Sequence, residues 1–360
     1  MSTYKELFPK NAKDFVKSNC FSLPAYSLFS FALLVCACEK PPDDDRDGLN
    51  PDKIQCVEEG SVFGGAVFSC AISGDYAFGG GAGVIKVFKT NKGRNPVKMS
   101  ELVTGDVSES VTYMGIRGSI LYYIDHHGTH AVDISNPSAL VDLGLLDVFF
   151  EREAVRGAGE TNNRIVAARG SNHVELFDIA NPAEPVNVGN FLMLNYPVSL
   201  SVEGNRVYVG NYESFTVYDI SDLAAPRQLG FLNGSAGLVL AVDTIVYCGQ
   251  GGQNLEGHAI VDARDLENMA YKSLDVSNLG QEWFLMWANS NCMVRSGDFL
   301  YVLAFTGGEN MILPYDISNR LHPKVMMATI YHNRSLANQL AVSDDFLLQA
   351  LPTGLAFWAY

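Results

Sequence analysis

The sequence predicts an all-β fold: a seven-bladed β-propeller of four-stranded antiparallel blades, in which an N-terminal strand completes the last blade. Three observations support this prediction. An apolar run that ends in Asp recurs along the chain. Short runs of alternating apolar residues, separated by turn residues, surround each copy. The composition, with 33 Gly, 20 Phe and 16 Tyr, favours strands and turns, and long helical patterns are missing.

The recurring Asp sets the period of the repeat. It stands at Asp133, Asp178, Asp219, Asp262 and Asp316, and Lys89 occupies the same position in the first unit. Successive positions are 44, 45, 41, 43 and 54 residues apart. Four strands in each such unit are typical of a propeller blade, whereas a parallel solenoid repeats at about 20–30 residues.

Residues 197–232 show how one unit is organised. Alternation and turn signals predict strands at 198–202, 206–210, 215–218 and 227–232. The Asp lies where the third strand turns into the fourth. A carboxylate there can accept hydrogen bonds from backbone N–H groups of the turn, and Asn-Pro then fixes the chain reversal. Five active sites in five blades are improbable, so we interpret the five Asp residues as structural turn residues.

Counting the units predicts how the ring closes. Six full units start near Ala66, Val111, Ala154, Pro197, Leu238 and Cys292. A seventh, at 338–360, stops after its third strand. Residues 53–62 resemble the fourth strand of another unit, so we expect 54–62 to pair with 355–360. This pairing leaves no open edge between the first and last blades.

Five of the units resemble a known repeat. The segments "VELFDIANP", "FTVYDISD", "HAVDISNP", "HAIVDARD" and "ILPYDISN" are similar to the LVIVD repeat, which occurs in propellers of bacterial and archaeal surface proteins. The resemblance spans about 66–360. It implies a blade type and a surface location, and it implies no established chemistry.

The N-terminus predicts export and lipid anchoring. Lys5, Lys10, Lys13 and Lys17 precede an apolar, uncharged run at 21–38, which is the layout of a secretory signal. The run ends in "VCAC", which resembles the lipobox of bacterial lipoproteins and implies that Cys38 is lipidated. We therefore expect a signal peptide at 1–38, a flexible acidic tether at 39–52 and the propeller at 53–360. An uncleaved anchor helix is the alternative interpretation of the run.

Charge and cysteine content limit the partners. The net charge of −15 would repel a phosphate backbone, so we do not expect a nucleic-acid partner. The partners expected are a membrane, through the lipid anchor, and an unknown protein or glycan. The predicted location is the cell envelope, at the outer membrane or cell surface, and the predicted state is a monomer. Cys56, Cys70, Cys248 and Cys292 remain after the leader; free thiols or one bridge are both open.

Candidate functional residues concentrate on one predicted face. In a propeller, the loops from strand two to strand three share a face with the connections between blades, and the Asp turns lie opposite. The candidate binding face therefore comprises Trp283, Phe284, Trp287, His126, His127, Arg169, His173, Tyr212 and Glu309. The three aromatic residues at 283–287 could form a platform for a sugar or peptide, or a plug that packs into the channel mouth.

Two functional classes remain. The favoured one is a non-catalytic binding module for protein, peptide or glycan. The alternative is a hydrolase or lyase, with candidate acid–base groups Glu151, Glu153, His126, His173 and Glu309. A metal bound by His126, His127 and His130 is disfavoured because adjacent residues on a strand face opposite ways. No cofactor or metal is expected, since no nucleotide-binding, zinc or calcium motif is present.

Overall fold

The computed structural model describes residues 55–59, 63, 66–105, 110–146, 159–161, 164–169, 172–181, 183–252, 258–274, 289–306, 309–326, 329–331 and 339–359. These residues form seven antiparallel sheets. Six are built around four strands that follow one another along the chain, and the seventh combines the last three strands with the first. In the described part of the chain, no helix has the length and apolar character needed to cross a bilayer.

Each sheet is one blade, and its strands run from the inside of the ring outwards. The strand that opens the described chain, β1 (Gln55–Glu59), belongs to the last blade. Blade 1 contains β2 (Val67–Ser73), β3 (Tyr76–Gly81), β4 (Val84–Asn91) and β5 (Arg94–Val103). Blade 2 contains β6 (Tyr113–Arg117), β7 (Ile120–Ile124), β8 (Thr129–Asp133) and β9 (Val141–Leu145). Blade 3 contains β10 (Gly159–Thr161), β11 (Arg164–Arg169), β12 (His173–Asp178) and β13 (Val186–Leu192).

The remaining blades follow the same order. Blade 4 contains β14 (Ser199–Glu203), β15 (Arg206–Gly210), β16 (Ser214–Asp219) and β17 (Arg227–Asn233). Blade 5 contains β18 (Ser235–Val242), β19 (Ile245–Gly252), β20 (His258–Asp262) and β21 (Tyr271–Ser273). Blade 6 contains β22 (Asn289–Ser296), β23 (Phe299–Thr306), β24 (Glu309–Asp316), β25 (Lys324–Val325) and β26 (Thr329–Tyr331), the last two both pairing with β24. Blade 7 contains β27 (Leu340–Val342), β28 (Phe346–Leu351), β29 (Gly354–Ala359) and, outermost, β1.

The predicted seven-bladed architecture is therefore confirmed, and so is the predicted pairing of the N-terminal strand with the last blade. β1 pairs antiparallel with β29, from Gln55 opposite Ala359 to Glu59 opposite Ala356. Inner strands of neighbouring blades lie in contact from blade 3 through blade 7 to blades 1 and 2, including β27 with β2. Between blades 2 and 3, Ile124 of β7 packs with Phe177 of β12. The first and last parts of the described chain thus complete one sheet, which removes the open edge that a linear array would expose.

The core lies between blades rather than inside a single sheet. All residues of the middle strands β7, β28 and β29 are buried, because a blade in the ring packs on both of its faces. This explains why these strands read as continuous apolar runs instead of alternating ones. Fully burying one such Leu or Phe stabilises the fold by about 1.5–3 kcal/mol.

The five recurring Asp residues share one geometry. In each, Oδ1 accepts a hydrogen bond from the backbone N–H two residues ahead; these bonds run from Ser135 to Asp133 (2.8 Å), Ala180 to Asp178 (2.9 Å), Ser221 to Asp219 (2.9 Å), Arg264 to Asp262 (3.1 Å) and Ser318 to Asp316 (2.9 Å). The backbone N–H donors lower the pKa of the Asp133 and Asp219 carboxyls. The Arg264 side chain is the main cause of the lowered pKa of Asp262. Each carboxylate therefore holds the turn that follows it.

These Asp turns also join neighbouring blades. The turns of blades 2, 4 and 5 pack against the outer strand of the preceding blade, where a bulge interrupts the pairing of strands three and four. A Cβ on Gly189 would lie 2.0 Å from the Leu223 carbonyl oxygen, and one on Gly230 would lie 2.7 Å from Met269. In blade 1 the Ser100 hydroxyl donates to the Pro137 carbonyl at 2.5 Å. The Asp motif recurs with the blades because it builds both the turn and the junction.

Candidate functional site

The loops between the second and third strands hold most of the predicted face. Arg169 ends β11 opposite His173, which begins β12, and Glu309 begins β24. His126 and His127 lie in the β7–β8 loop, and Tyr212 lies in the β15–β16 loop. Trp283, Phe284, Trp287, Glu151, Glu153 and Cys38 lie outside the described residues.

In blade 2, Asp125 organises the loop that carries the two adjacent histidines. Its Oδ1 accepts hydrogen bonds from the backbone N–H groups of His127 (2.8 Å) and Gly128 (3.2 Å). Asp125 is 3% exposed, whereas His126 and His127 are exposed with their ring centroids 3.7 Å apart. A buried carboxylate thus fixes the backbone, and the imidazoles project from it.

Asp125 also pairs with His130. The His130 Nε2 lies 3.2 Å from the carboxylate, and its ring stacks on Tyr123 at 4.5 Å between centroids. His130 therefore faces its own sheet and not the two loop histidines. Among the described residues, no three His, Cys, Asp or Glu side chains are close enough to hold a metal ion together.

The corresponding loop of blade 4 has the same hydrogen bonds with a different residue. Asn211 Oδ1 accepts from the backbone N–H groups of Glu213 (2.8 Å) and Ser214 (2.6 Å). The backbone N–H of Asn211 also bonds the Ser214 carbonyl, as that of Asp125 bonds Gly128. Tyr212, at the tip, is 58% exposed. A neutral amide does in blade 4 what a carboxylate does in blade 2, so the charge of Asp125 is not needed to form the loop.

On the opposite face, a groove of about 590 Å³ lies between blades 4 and 5. Glu203 crosses to the next blade, where its two carboxylate oxygens accept from the backbone N–H groups of Asp243 and Thr244, both at 2.7 Å. These two residues have φ of 53° and 63°, which is strained for a β-branched Thr. Sequence reasoning missed this groove, although Asp-Thr at a turn where other blades carry Gly was a visible signal.

A buried histidine joins blades 5 and 6. His258 Nδ1 lies 2.6 Å from the Tyr315 hydroxyl, and both side chains are buried. Burial lowers the pKa of His258 to about 4 and raises the pKa of Tyr315. Both groups are therefore neutral at physiological pH, and the pair serves packing between the blades.

The four cysteines in the described part of the chain are free thiols. Cys56 is exposed, Cys70 and Cys248 are buried, and Cys292 is partly buried. Cys70 donates to the Gln339 carbonyl at 3.5 Å, and Cys292 accepts from the Leu340 N–H at 3.4 Å. Burial raises the pKa of both thiols, so they act as weak hydrogen-bonding groups on either side of β27.

Comparisons with known proteins agree with this architecture. The family described as the LVIVD repeat matches residues 123–147 and 197–232. No curated protein matches the sequence. The designed Ika8 protein is 14% identical with a TM-score of 0.55, covering 88% of this chain and 99% of its own. BamB from Moraxella catarrhalis is 12% identical, with a TM-score of 0.53 and coverage of 83% and 85%. A chain of the Mitotic Checkpoint Complex is 11% identical, with a TM-score of 0.58 and coverage of 89% and 98%. At these identities the likeness concerns the fold alone.

Proposed function

From a chain that carries LVIVD repeats and folds as a β-propeller, we propose a function in recognition. The protein is an envelope lipoprotein, anchored through Cys38 at the outer membrane or cell surface. Its propeller is a monomeric, non-catalytic module that binds a protein, peptide or glycan through the face of the β7–β8 and β15–β16 loops. The fold is consistent with such a module.

One observation supports this proposal above the others. Two loops on the same face share a backbone that is fixed by an Asp or Asn cap, and they differ in the side chains at their tips. Blade 2 presents two imidazoles, and blade 4 presents Tyr212 and Glu213. A rigid frame with variable, exposed aromatic tips is suited to binding, because stacking and hydrogen bonding then cost little ordering entropy.

The same geometry argues against the hydrolase or lyase alternative in the described loops. Asp125 is already bonded to two backbone N–H groups and to His130, so it is not poised to move a substrate proton. The neutral Asn211 fills its place in blade 4. The residues expected as acids at 151 and 153 lie outside the described residues.

Binding is tested by affinity capture and by glycan-array screening with the full chain. We expect the combined Tyr212→Ala, His126→Ala and His127→Ala variant to lose at least tenfold in affinity for the ligand identified. Phe231→Ala is the matched control, because Phe231 is 40% exposed on the outer strand of blade 4. A second variant, Trp283→Ala with Trp287→Ala, tests the aromatic platform. Undiminished binding by both variants would contradict the proposed face.

Anchoring is tested separately with Cys38→Ser. We expect this variant to lose palmitate labelling and to move from the membrane fraction to the soluble fraction, while Cys56→Ser serves as the control. Unchanged labelling of Cys38→Ser would refute lipidation at this position. Either result leaves the binding experiment interpretable, since that experiment measures the propeller.

A further inference from the structure

Blade 1 departs from the repeat at one corner of the ring. Lys89 stands where five other blades have Asp, and the Asp turn is replaced by a two-residue hairpin between β4 and β5. Lys92 and Gly93 adopt the left-handed conformation that such a turn requires, with φ of 52° and 80°. We call residues 89–99 the basic hairpin.

The tip of the basic hairpin combines cations with exposed apolar side chains. Lys89 and Arg94 are exposed, and neither forms an ion pair with a described residue. Val97 is 61% exposed and Met99 is 38% exposed. In a chain of net charge −15, four basic residues without an acid between positions 89 and 99 form a local exception.

Two further cations in the hairpin are weakly paired. Lys92 lies 2.9 Å from Asp345, and Lys98 lies 2.5 Å from Glu101, with every partner substantially exposed. Exposed ion pairs contribute little and exchange readily with other anions. Lys98 can therefore also turn towards an external phosphate.

The direction of β1 places the entry of the chain beside this hairpin. Gln55 pairs with Ala359, the residue of β29 that corresponds to the repeated Asp, so β1 begins on the Asp-turn face and runs away from it. β1 also contacts β5, the outer strand of blade 1. The polypeptide arriving from Cys38 thus joins the ring at the corner that carries the basic hairpin.

We propose that the basic hairpin contacts the phosphate headgroups of the bilayer in which the chain is anchored. This inference rests on the proposed lipid anchor at Cys38. Lys89 and Arg94 bind anionic headgroups, and Val97 and Met99 enter the boundary between headgroups and acyl chains. The Asp-turn face at blades 7 and 1 then lies towards the membrane, and the β7–β8 and β15–β16 loops point away from it.

The length of the intervening chain permits this contact. Seventeen peptide steps separate Cys38 from Gln55. A chain of that length spans at most about 60 Å. The chain is acidic overall, so an anionic bilayer repels most of its surface, whereas the basic hairpin, with four cations and no acid between positions 89 and 99, is attracted to it.

The test uses the full chain, purified from membranes and reconstituted into vesicles of phosphatidylcholine with 30% phosphatidylglycerol. In a Cys56→Ser background, a fluorophore is attached through Asn95→Cys in the hairpin or Glu213→Cys on the loop face. We expect nitroxide-labelled headgroups to quench the hairpin probe at least threefold more than the loop probe. The difference should shrink in pure phosphatidylcholine or at 0.5 M salt.

Charge reversal at the hairpin supplies the matched comparison. Lys89→Glu with Arg94→Glu should abolish the difference in quenching, whereas Lys272→Glu with Lys324→Glu, on the outer strands of blades 5 and 6, should leave it intact. Lys89→Arg with Arg94→Lys, which keeps both positive charges, should retain the difference in quenching. This control separates an effect of charge from an effect on folding. Equal quenching of both probes on vesicle-bound protein would overturn the hairpin contact. Failure of the unmodified chain to float with vesicles would instead overturn the anchor.

Discussion

Two junctions of the ring hold neighbouring blades together in different ways: one lies between blades 4 and 5, and the other between blades 7 and 1. In the first, Ser199 and Ser201 on β14 accept hydrogen bonds from the backbone of β18 at 3.0 and 2.9 Å, and Glu203 holds the next hairpin. In the second, Phe346, Leu348 and Phe357 pack against Val67, Ala77 and Phe88 in one apolar cluster. The first joins residues about 40 apart, whereas the second joins residues 269 apart, as Gln339 does with Cys70.

This difference indicates which interactions stabilise a regular junction and which stabilise the closing junction. Polar bonds at a fixed sequence offset align one blade with the next, and they are local enough to form as the chain folds. The closing junction has no such offset, and bringing its ends together costs more chain entropy. The apolar cluster and the β1 pairing offset that cost, and because this junction closes the ring, we expect damage there to destabilise every blade.

The largest expected effect follows from removing the closing strand. Deleting residues 53–62 exposes the backbone of β29 and uncovers Phe357, which is fully buried. We expect loss of cooperative thermal unfolding, or a melting temperature lower by more than 15 °C, in circular dichroism and calorimetry. The control replaces the side chains of 55–59 by Thr and Val while retaining the backbone. A deletion variant that melts like the parent would show that closure does not depend on β1.

A smaller effect is expected at a regular junction. Gly189→Ala places a Cβ 2.0 Å from the Leu223 carbonyl oxygen, so the Asp turn of blade 4 must shift. We expect a loss of about 3 kcal/mol in unfolding free energy, measured by chemical denaturation. Gly204→Asn is the matched control: it has a φ of +58° and open space around it, and should cost about 1 kcal/mol or less. Equal losses in the two variants would contradict the packing of turn against bulge.

The junction between blades 5 and 6 should respond to pH. The folded pKa of His258, about 4, is below its unfolded value of about 6.5, so the unfolded state binds the proton more tightly. The contribution of the buried, neutral His258 to the free energy of unfolding is therefore fully present above pH 6.5. It is lost as the pH falls towards 4, and the loss is about 3 kcal/mol at most. His258→Gln should flatten the pH dependence of stability over this window. Tyr315→Phe removes the hydrogen bond but leaves His258 buried, so this variant should keep most of the pH dependence.

The smallest effect should be a gain in stability. Gln349 in β28 is fully buried, and neither its amide oxygen nor its nitrogen has a hydrogen-bond partner among the described residues. It stands between Leu347 and Leu351 on the side of the strand that packs against blade 6. Gln349→Leu should raise the unfolding free energy by about 1 kcal/mol, whereas Gln349→Glu should lower it. A loss of stability in Gln349→Leu would contradict the interpretation that the buried amide is destabilising.

The architecture could be predicted because the information for a blade is local. The strands expected at 206–210 and 215–218 correspond to β15 and β16, and residues 53–62 were identified as a fourth strand from their likeness to another unit. The expected start of the fifth unit, near Leu238, lies inside β18, which begins at Ser235. A repeated sequence pattern thus predicts where a strand lies, but the residues at which the strand begins and ends depend on its pairing with a neighbouring strand.

Contacts between blades could not be predicted in the same way. The sequence of a single unit does not indicate that Gly189 packs against the Leu223 carbonyl of the next blade. Nor does it indicate that the Glu203 carboxylate bonds the hairpin of the following blade. A weak signal did exist at the inner strand, since Ser69, Ser199 and Cys292 each stand five residues before a turn glycine and each bond the next blade. The aromatic residues at 283–287 remain a prediction because they lie outside the described residues.

The pairing of β1 with β29 also has a consequence for biogenesis. β1, the first strand of the described chain, cannot take its place until the third strand of the seventh sheet has been made, so synthesis order and assembly order are opposed. A polypeptide truncated before Gly354 offers β1 no partner and leaves an unpaired edge, a state that proteases and chaperones can distinguish from the finished ring. Ring closure thereby reports that the seventh blade has been made.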